Sequence, residues 1–136
     1  MYEDLKGKTA VVTGSGKRSG IGYGIAEKLA SSGCNIVIAD LGKPVPADMA
    51  LKTATSEEMD DIAAGLANAF HIKTLTVTVD VTDTSSIERM VDEIKKAFAH
   101  IDILCNNAGA VFGVPNTVLS YGEADWISEE HTSELQ

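Results

Sequence analysis

A glycine-rich segment close to the start of the chain has the residue types needed to hold a phosphate group. Residues 13–22 read TGSGKRSGIG and directly follow a short apolar run at 9–13. Free N–H groups at the start of a helix attract anions, and glycines remove the side chains that would keep a phosphate away from the backbone. A Walker-type loop is excluded, since Lys17 is followed by Arg18 and not by Ser or Thr. We therefore predict a phosphate-binding loop whose contacts come from Gly14, Ser15, Gly20, Ile21 and Gly22.

An acidic residue lies where a dinucleotide would present its adenosine ribose. Asp40 follows the apolar run at 35–39 and lies 18 residues after Gly22. This is close to the separation of about 20 residues at which a ribose-binding acid is expected. A carboxylate there can accept hydrogen bonds from ribose hydroxyls and would repel a 2′-phosphate, so Asp40 favours NAD. Its neighbour Leu41 is a further predicted cofactor contact. Lys17 and Arg18 could instead pair with a 2′-phosphate, which keeps NADP as the less favoured alternative.

Strand-like and helix-like segments alternate along the chain and would position these residues. Strands are predicted at residues 9–13, 35–39, 74–79 and 101–105, where apolar and β-branched residues run together. Helices are predicted at residues 20–32, 55–70 and 84–99, where apolar residues recur on one face. The buried face of the first helix is expected to carry Ile21, Ile25, Ala26, Leu29 and Ala30. The alternation predicts an α/β fold, a Rossmann-type doubly wound parallel sheet that is incomplete, with its first four strands and three helices.

Two local signals predict where the helices begin and end. Thr55 and Glu58 have the spacing of a capping box at the start of the second helix. Gly33 follows the first helix directly, as glycine often does at a helix C-terminus. The two boundaries support the strand–helix alternation independently of its apolar pattern.

The composition argues against several classes of function. The formal net charge of −9 is unfavourable for nucleic-acid binding, because neutralising phosphates needs a basic surface. No run of 18 apolar residues is present, so no membrane span is predicted and the cytoplasm is the expected location. Cys34 and Cys105 are expected to be small buried residues rather than a disulfide or a metal pair. His71, His100 and His131 lack the spacing of metal ligands, and no metal is predicted.

Two further motifs combine with the glycine loop into a recognisable set. Asp80-Val81 follows the third predicted strand, and Asn106-Asn107-Ala108-Gly109 (NNAG) follows the fourth. With these motifs in this order, the chain resembles the short-chain dehydrogenase/reductase family over about residues 4 to 127. The resemblance implies that Asp80 and Val81 contact the adenine ring. It also implies that Asn107 fixes its loop, while the small Ala108 and Gly109 let a nicotinamide dinucleotide lie against the backbone.

The chain departs from the family pattern in two places. Five residues, Ser15 to Ser19, separate Thr13-Gly14 from Gly20-Ile21-Gly22, where the family usually has fewer. A looser loop of this kind resembles that of enoyl-reductase relatives, although NNAG argues against that branch. The segment between Asp40 and Asp80 is long, and Pro44–Thr53 resembles an insertion.

The resemblance also implies an activity, the transfer of hydride between a nicotinamide cofactor and a small alcohol or carbonyl substrate. The family's catalytic serine and its Tyr-x-x-x-Lys pair are expected beyond the end of this chain. Tyr2 and Lys6 have the spacing of the pair but precede the first strand, and Tyr121 has Asp125 where the lysine would be. No catalytic residue is therefore assigned within the chain.

The organisation of the chain follows from this interpretation. Residues 1–127 are predicted to be a truncated dinucleotide-binding portion, and residues 128–136 (SEEHTSELQ) a non-native tail. The parent protein is expected to be a homo-oligomer. The alternative function is a non-catalytic dinucleotide-binding or sensor module.

Overall fold

Four parallel strands covered by three helices make up the part of the chain that the structure, a computed structural model, describes: residues 2–42 and 55–109. The strands are β1 (Thr9–Thr13), β2 (Asn35–Asp40), β3 (Thr74–Thr78) and β4 (Ile103–Cys105). The helices are α1 (Ile21–Ser31), α2 (Ser56–Phe70) and α3 (Thr84–Ala97), preceded by a 3-10 helix at Glu3–Leu5. The strand order is β3-β2-β1-β4, with every neighbouring pair parallel. The predicted Rossmann-type fold is confirmed, whereas Pro44–Thr53, Tyr121 and residues 128–136 lie outside the described residues.

Two apolar clusters lie on opposite faces of the sheet. The first joins β1 and β2 to α1 and α2, through Ala10, Val12, Ile36, Ile38, Ala26, Ala30, Met59, Ile62 and Leu66. The second joins the strands to α3, through Val11, Val37, Ala39, Val77, Met90 and Ile94. Alternate residues of a strand point to opposite faces, so the central residues of β1 and β2 are all apolar because both faces of the sheet are covered there.

The helix ends follow from local hydrogen bonds. The Thr55 hydroxyl accepts from the N–H of Glu58 at 3.2 Å, and the Asp83 carboxylate accepts from the N–H of Ser85 at 3.0 Å, so α2 and α3 both begin with a side-chain cap. Gly33 follows α1 with a φ of +90°, a conformation that side chains disfavour. Among the described residues, no helix is both long and apolar enough to cross a membrane.

The fourth strand is shorter than predicted, because Asp102 interrupts its regular pairing. The prediction began this strand at residue 101, but β4 begins at Ile103. The Asp102 carboxylate accepts from the N–H of Thr9 at 2.9 Å and so takes the place of a strand carbonyl. The Asp102 N–H in turn donates to the Thr9 carbonyl at 2.9 Å. The side chain therefore fixes the register of β4 on β1 before the ladder starts.

Ile21 was expected on the buried face of α1 and is instead 79% exposed. The next residue, Gly22, is the one that faces the sheet and is buried. Neighbouring helical residues differ by about 100° around the axis, so a helix that turns Gly22 inward turns Ile21 towards solvent. The prediction for Ile21 as a core residue is therefore wrong.

Burial raises the pKa of the thiols of Cys34 and Cys105, because a thiolate is poorly solvated inside a protein. Cys34 is fully buried as predicted, whereas Cys105 is only half-buried. A folded-state pKa above the unfolded one means that folded protein holds the thiol protons longer. The stabilisation that comes from the raised thiol pKa values is therefore complete below the ordinary thiol pKa of about 8.5, and it is lost as the pH rises above that value.

We expect iodoacetamide at neutral pH to label Cys34 far more slowly than Cys105, because Cys34 is the more deeply buried of the two. Rapid labelling of Cys34 in folded protein would contradict its burial.

Candidate functional site

The candidate site lies at the point where the strand order of the sheet reverses. From β1 the chain proceeds to β2 and β3 on one side, while β4 lies on the other side of β1. Helices α1 and α2 consequently pack on one face and α3 on the opposite face. In open α/β sheets a crevice forms outside the carboxyl ends of the strands at such a point, and ligands bind there. Both the glycine loop after β1 and the NNAG segment after β4 begin at this crevice.

The hydroxyl of Thr13 connects these two segments. It accepts from the N–H groups of Asn107 and Ala108 at 3.1 and 3.0 Å, and it donates to the carbonyl of Cys105 at 3.4 Å. In the opposite direction, the Asn107 side-chain amide donates to the carbonyls of Thr13 and Gly14 at 3.1 and 3.2 Å. The structure therefore gives Asn107 the loop-fixing contacts expected from the sequence.

Replacement of Thr13 by Val is expected to lower the free energy of unfolding by about 2 kcal/mol, because two amide donors lose their acceptor at a part-buried position. Thr13→Ser keeps the hydroxyl and is expected to cost less than about 1 kcal/mol. Urea unfolding of both variants measures the difference. Equal destabilisation by Val and Ser would show that the hydroxyl bonds contribute nothing.

Three segments meet so closely at Gly14 and Gly22 that neither position has room for a side chain. Gly14 has a φ of +69°, and a Cβ built on it would lie 2.9 Å from the Cα of Ala108. A Cβ on Gly22 would lie 2.4 Å from the Gly14 carbonyl oxygen and 2.6 Å from the Asn107 side-chain nitrogen. The contact holds the start of α1 against the end of β1 and the NNAG segment.

The start of α1 differs from that of the other two helices in the described residues. Thr55 and Asp83 cap α2 and α3 with side-chain oxygens, but the N-cap of α1 is Gly20, which has no side chain. The first N–H groups of a helix need an acceptor, and they carry the positive end of its dipole. The N-terminus of α1 is thus the one suited to an external anion.

The glycine loop is also tied to the end of β2. Ser15 is completely buried; its hydroxyl donates to the carbonyl of Val12 at 2.6 Å and accepts from the N–H of Ala39 at 3.3 Å. The Ser15 N–H bonds to the Ala39 carbonyl at 3.4 Å. These contacts turn the side chain of Ser15 into the sheet, where it ties the loop to the end of β2.

The carboxylate of Asp40 lies against this loop. One oxygen accepts from the N–H of Gly16 at 2.9 Å, and the other from the N–H of Leu41 at 2.8 Å. Each carboxylate oxygen can accept a further hydrogen bond. The structure therefore brings together the acid and the glycines that the sequence analysis assigned to one ligand, and Leu41 serves to orient the acid through its backbone.

Asp80 and Val81 lie at the neighbouring strand end. The N–H of Val79 donates to the Asp40 carbonyl at 2.8 Å, which joins the end of β3 to the end of β2. Asp80 accepts from the N–H of Thr82 at 3.0 Å, and its own N–H donates to the Ser86 hydroxyl at 2.9 Å. Val81 packs against the apolar cluster under α3. Both residues are therefore held at the same edge of the sheet as Asp40, on the far side from β4.

Two of the predicted residues, Ile21 and Gly109, lie at the open margin of the site. Ile21 points to solvent at the mouth of the loop, and an added Cβ on Gly109 would meet no atom within 4 Å. Ala108 faces Gly14, as described above. Within residues 2–42 and 55–109, the His, Cys, Asp and Glu side chains form no group of three or more that could hold a metal ion.

The sequence analysis missed a contact between the loop and α2. Glu58 was expected to complete a capping box, and its N–H does bond to Thr55, but its carboxylate accepts from the N–H of Arg18 at 3.0 Å. The two residues are 40 positions apart, and no local spacing signals the contact. The Arg18 guanidinium lies close to the Tyr23 hydroxyl. The pKa of Tyr23 is raised, mainly by its hydrogen bond to Glu27, and Arg18 offsets part of that rise.

Comparisons with known proteins agree with this geometry. A family model described as enoyl-(acyl carrier protein) reductase matches residues 14–132. A short-chain type dehydrogenase/reductase from Sinorhizobium fredii is 34% identical over 122 residues, which cover 90% of this chain and 42% of the relative. The chain thus spans less than half the length of this curated relative.

Solved structures show the same fold. The structure of L-sorbose reductase from Gluconobacter frateurii, complexed with NADPH and L-sorbose, has a TM-score of 0.74 at 30% identity and covers 93% of this chain and 41% of that one. Carveol dehydrogenase from Mycobacterium avium, in complex with NAD, has a TM-score of 0.82 at 23% identity and covers 98% and 50%. Both proteins were solved with a nicotinamide dinucleotide.

Proposed function

The chain belongs to the short-chain dehydrogenase/reductase family, and from this premise we propose that it is the dinucleotide-binding portion of an oxidoreductase that transfers hydride between NAD(H) and an alcohol or carbonyl substrate. The observation that carries the proposal is the hydrogen bond of 2.9 Å between the Asp40 carboxylate and the N–H of Gly16. The bond supports the proposal because it holds a carboxylate, a suitable acceptor for ribose hydroxyls, beside the glycine loop and an uncapped helix N-terminus.

The contacts of the described residues support the binding of a dinucleotide. Gly14 and Gly22 let the glycine loop, the start of α1 and the NNAG segment pack closely, which would hold the first turn of α1 facing the diphosphate. The N–H groups at the start of α1 would donate to the diphosphate, and the helix dipole favours its negative charge. Asp40 would accept from the ribose hydroxyls, and its charge supports NAD as the cofactor in preference to NADP.

The remaining assigned residues would hold the two ends of the cofactor. Asp80 and Val81, at the end of β3, would contact the adenine. Ala108 and Gly109 would let the nicotinamide half pass close to the backbone, and Asn107 would keep their segment in place through its bonds to Thr13 and Gly14. When bound, the nicotinamide supplies or accepts the hydride, and the residues of this chain bind and orient it.

The groups that move the proton are proposed to lie in a longer parent protein. The chain covers 42% of the relative from Sinorhizobium fredii and 45% of the 3-oxoacyl-[acyl-carrier-protein] reductase from Haemophilus influenzae. Residues 1–127 would be the binding portion and residues 128–136 a non-native tail. We place the parent protein in the cytoplasm and expect it to be a homo-oligomer.

A second candidate is the reduction of an activated carbon–carbon double bond with the same cofactor. The description of the matching family model and the long glycine loop favour this reaction. A non-catalytic module is favoured by no comparison, since the relatives named above are dehydrogenases or reductases by name.

Titration of the full-length protein with NAD, NADP and ADP-ribose, followed by calorimetry, tests the proposal. We expect NAD and ADP-ribose both to bind, because both carry the adenosine and diphosphate that this portion would contact. NADP should bind at least about tenfold more weakly than NAD, as the Asp40 carboxylate predicts. A substrate screen with NADH, including ketones and enoyl thioesters, then separates the two reactions. Binding of none of the three nucleotides would overturn the proposed function.

A further inference from the structure

Two carboxylates from different elements hold the two ends of one short stretch of the glycine loop. The Asp40 carboxylate, at the end of β2, accepts from the N–H of Gly16 at 2.9 Å. The Glu58 carboxylate, in the first turn of α2, accepts from the N–H of Arg18 at 3.0 Å. The two amides are two residues apart, so their Cα atoms are separated by at most about 7 Å. Asp40 and Glu58 therefore belong to one local electrostatic environment.

From this arrangement we infer that Glu58 is a second determinant of the preference for NAD over NADP. The inference rests on the proposed function, in which the adenosine ribose lies at Asp40. A 2′-phosphate on that ribose would meet the negative charge of Glu58 as well as that of Asp40. It would also find the Gly16 and Arg18 N–H groups, which could otherwise donate to it, already bonded to carboxylates.

The side chain of Arg18 supports this inference, because it lies along the helices. The guanidinium is close enough to the Tyr23 hydroxyl on α1 to affect its pKa, and it would be 4.0 Å from a Cβ added to Gly65 on α2. The Tyr23 hydroxyl also donates to Glu27 at 2.8 Å. Arg18 thus anchors the glycine loop to α1 and α2, and its guanidinium is directed to these helices.

The test is Glu58→Gln in the full-length protein, with the dissociation constants of NAD and NADP measured by calorimetry. Glutamine keeps an oxygen that can accept from the Arg18 N–H, so the loop keeps its anchor while the charge is removed. We expect the NAD affinity to change less than twofold and the NADP affinity to rise about fivefold. A rise of about this size is expected when one negative charge near a phosphate is removed in largely aqueous surroundings. The gain should shrink at high salt, since salt screens exposed charges.

Glu57→Gln is the matched control. Glu57 lies in the same helical turn, is exposed, and carries the same charge. Glu57→Gln should change the ratio of the NAD and NADP affinities less than twofold. Equal ratios in the Glu57 and Glu58 variants would overturn the inference while leaving NAD binding, and hence the proposed function, intact.

Arg18→Ala gives an independent measurement. If Arg18 only anchors the loop, this variant should weaken NAD and NADP binding by the same factor. A selective loss of NADP affinity would show that Arg18 contacts the 2′-phosphate, which would overturn the inference. Failure of the unmodified protein to bind either dinucleotide would instead overturn the proposed function itself.

Discussion

Replacement of Gly22 by alanine is expected to reduce the affinity for NAD at least about tenfold and to lower the free energy of unfolding by about 2–3 kcal/mol. The added Cβ would lie 2.4 Å from the Gly14 carbonyl oxygen and 2.6 Å from the Asn107 side-chain nitrogen. Neither atom can yield easily, because Asn107 is bonded to Thr13 and Gly14 and these bonds hold the two segments together. The N-terminus of α1 must therefore move away from the loop, and the phosphate site opens.

Gly24→Ala is the control for this prediction, since it makes the same change two residues later in α1. A Cβ on Gly24 would meet no atom within 4 Å. Alanine is a better helix former than glycine by about 1 kcal/mol, so this variant should be slightly more stable and should bind NAD normally. Urea unfolding and calorimetric titration of both variants provide the measurements. The close packing would be contradicted if both substitutions changed stability in the same direction.

The parts of the structure that the sequence predicted are those governed by local rules. Continuous apolar runs at β1 and β2 indicate strands with both faces covered, and apolar residues at helical spacing indicate the three helices. The predicted phosphate-binding loop lies between β1 and the start of α1, where the strand and helix patterns put it. Asp40 was found from its distance to the glycines along the chain, which reflects the length of one strand–helix–strand unit.

The parts that escaped prediction depend on contacts between distant residues. The Glu58 carboxylate bonds to Arg18 across 40 positions, and the Asp102 carboxylate bonds to Thr9 across 93. A carboxylate can satisfy a local cap or a distant amide equally well, and the sequence does not show which one folding brings near. Ser15 illustrates the same limit, because its spacing did not show that its hydroxyl would bond to Val12 and Ala39 inside the sheet.

Asp40→Ala is expected to have the largest effect on cofactor choice. The substitution removes the proposed acceptor for the ribose hydroxyls and leaves the N–H of Gly16, a buried residue, without its carboxylate partner. NAD should lose affinity by about tenfold or more, because a hydrogen bond from a charged acceptor is worth about 1.5–3 kcal/mol. NADP should lose less, since the same change also removes a charge that repels its 2′-phosphate. The ratio of the two dissociation constants, measured by calorimetry, should therefore move towards one.

Asp61→Ala and Asp40→Asn separate charge from geometry at this position. Asp61 is an exposed aspartate of α2, so Asp61→Ala removes one charge from the surface and should leave the ratio unchanged. Asparagine at position 40 has one oxygen for two N–H donors, Gly16 and Leu41, and must turn its NH₂ group towards one of them. Asp40→Asn should consequently disturb the loop and lower the affinity for both dinucleotides. It should still reduce the preference for NAD over NADP, because the charge is gone. An Asp40→Ala protein that kept its full preference for NAD would show that the ribose does not lie at Asp40, because this substitution removes both the acceptor and the repelling charge from that position.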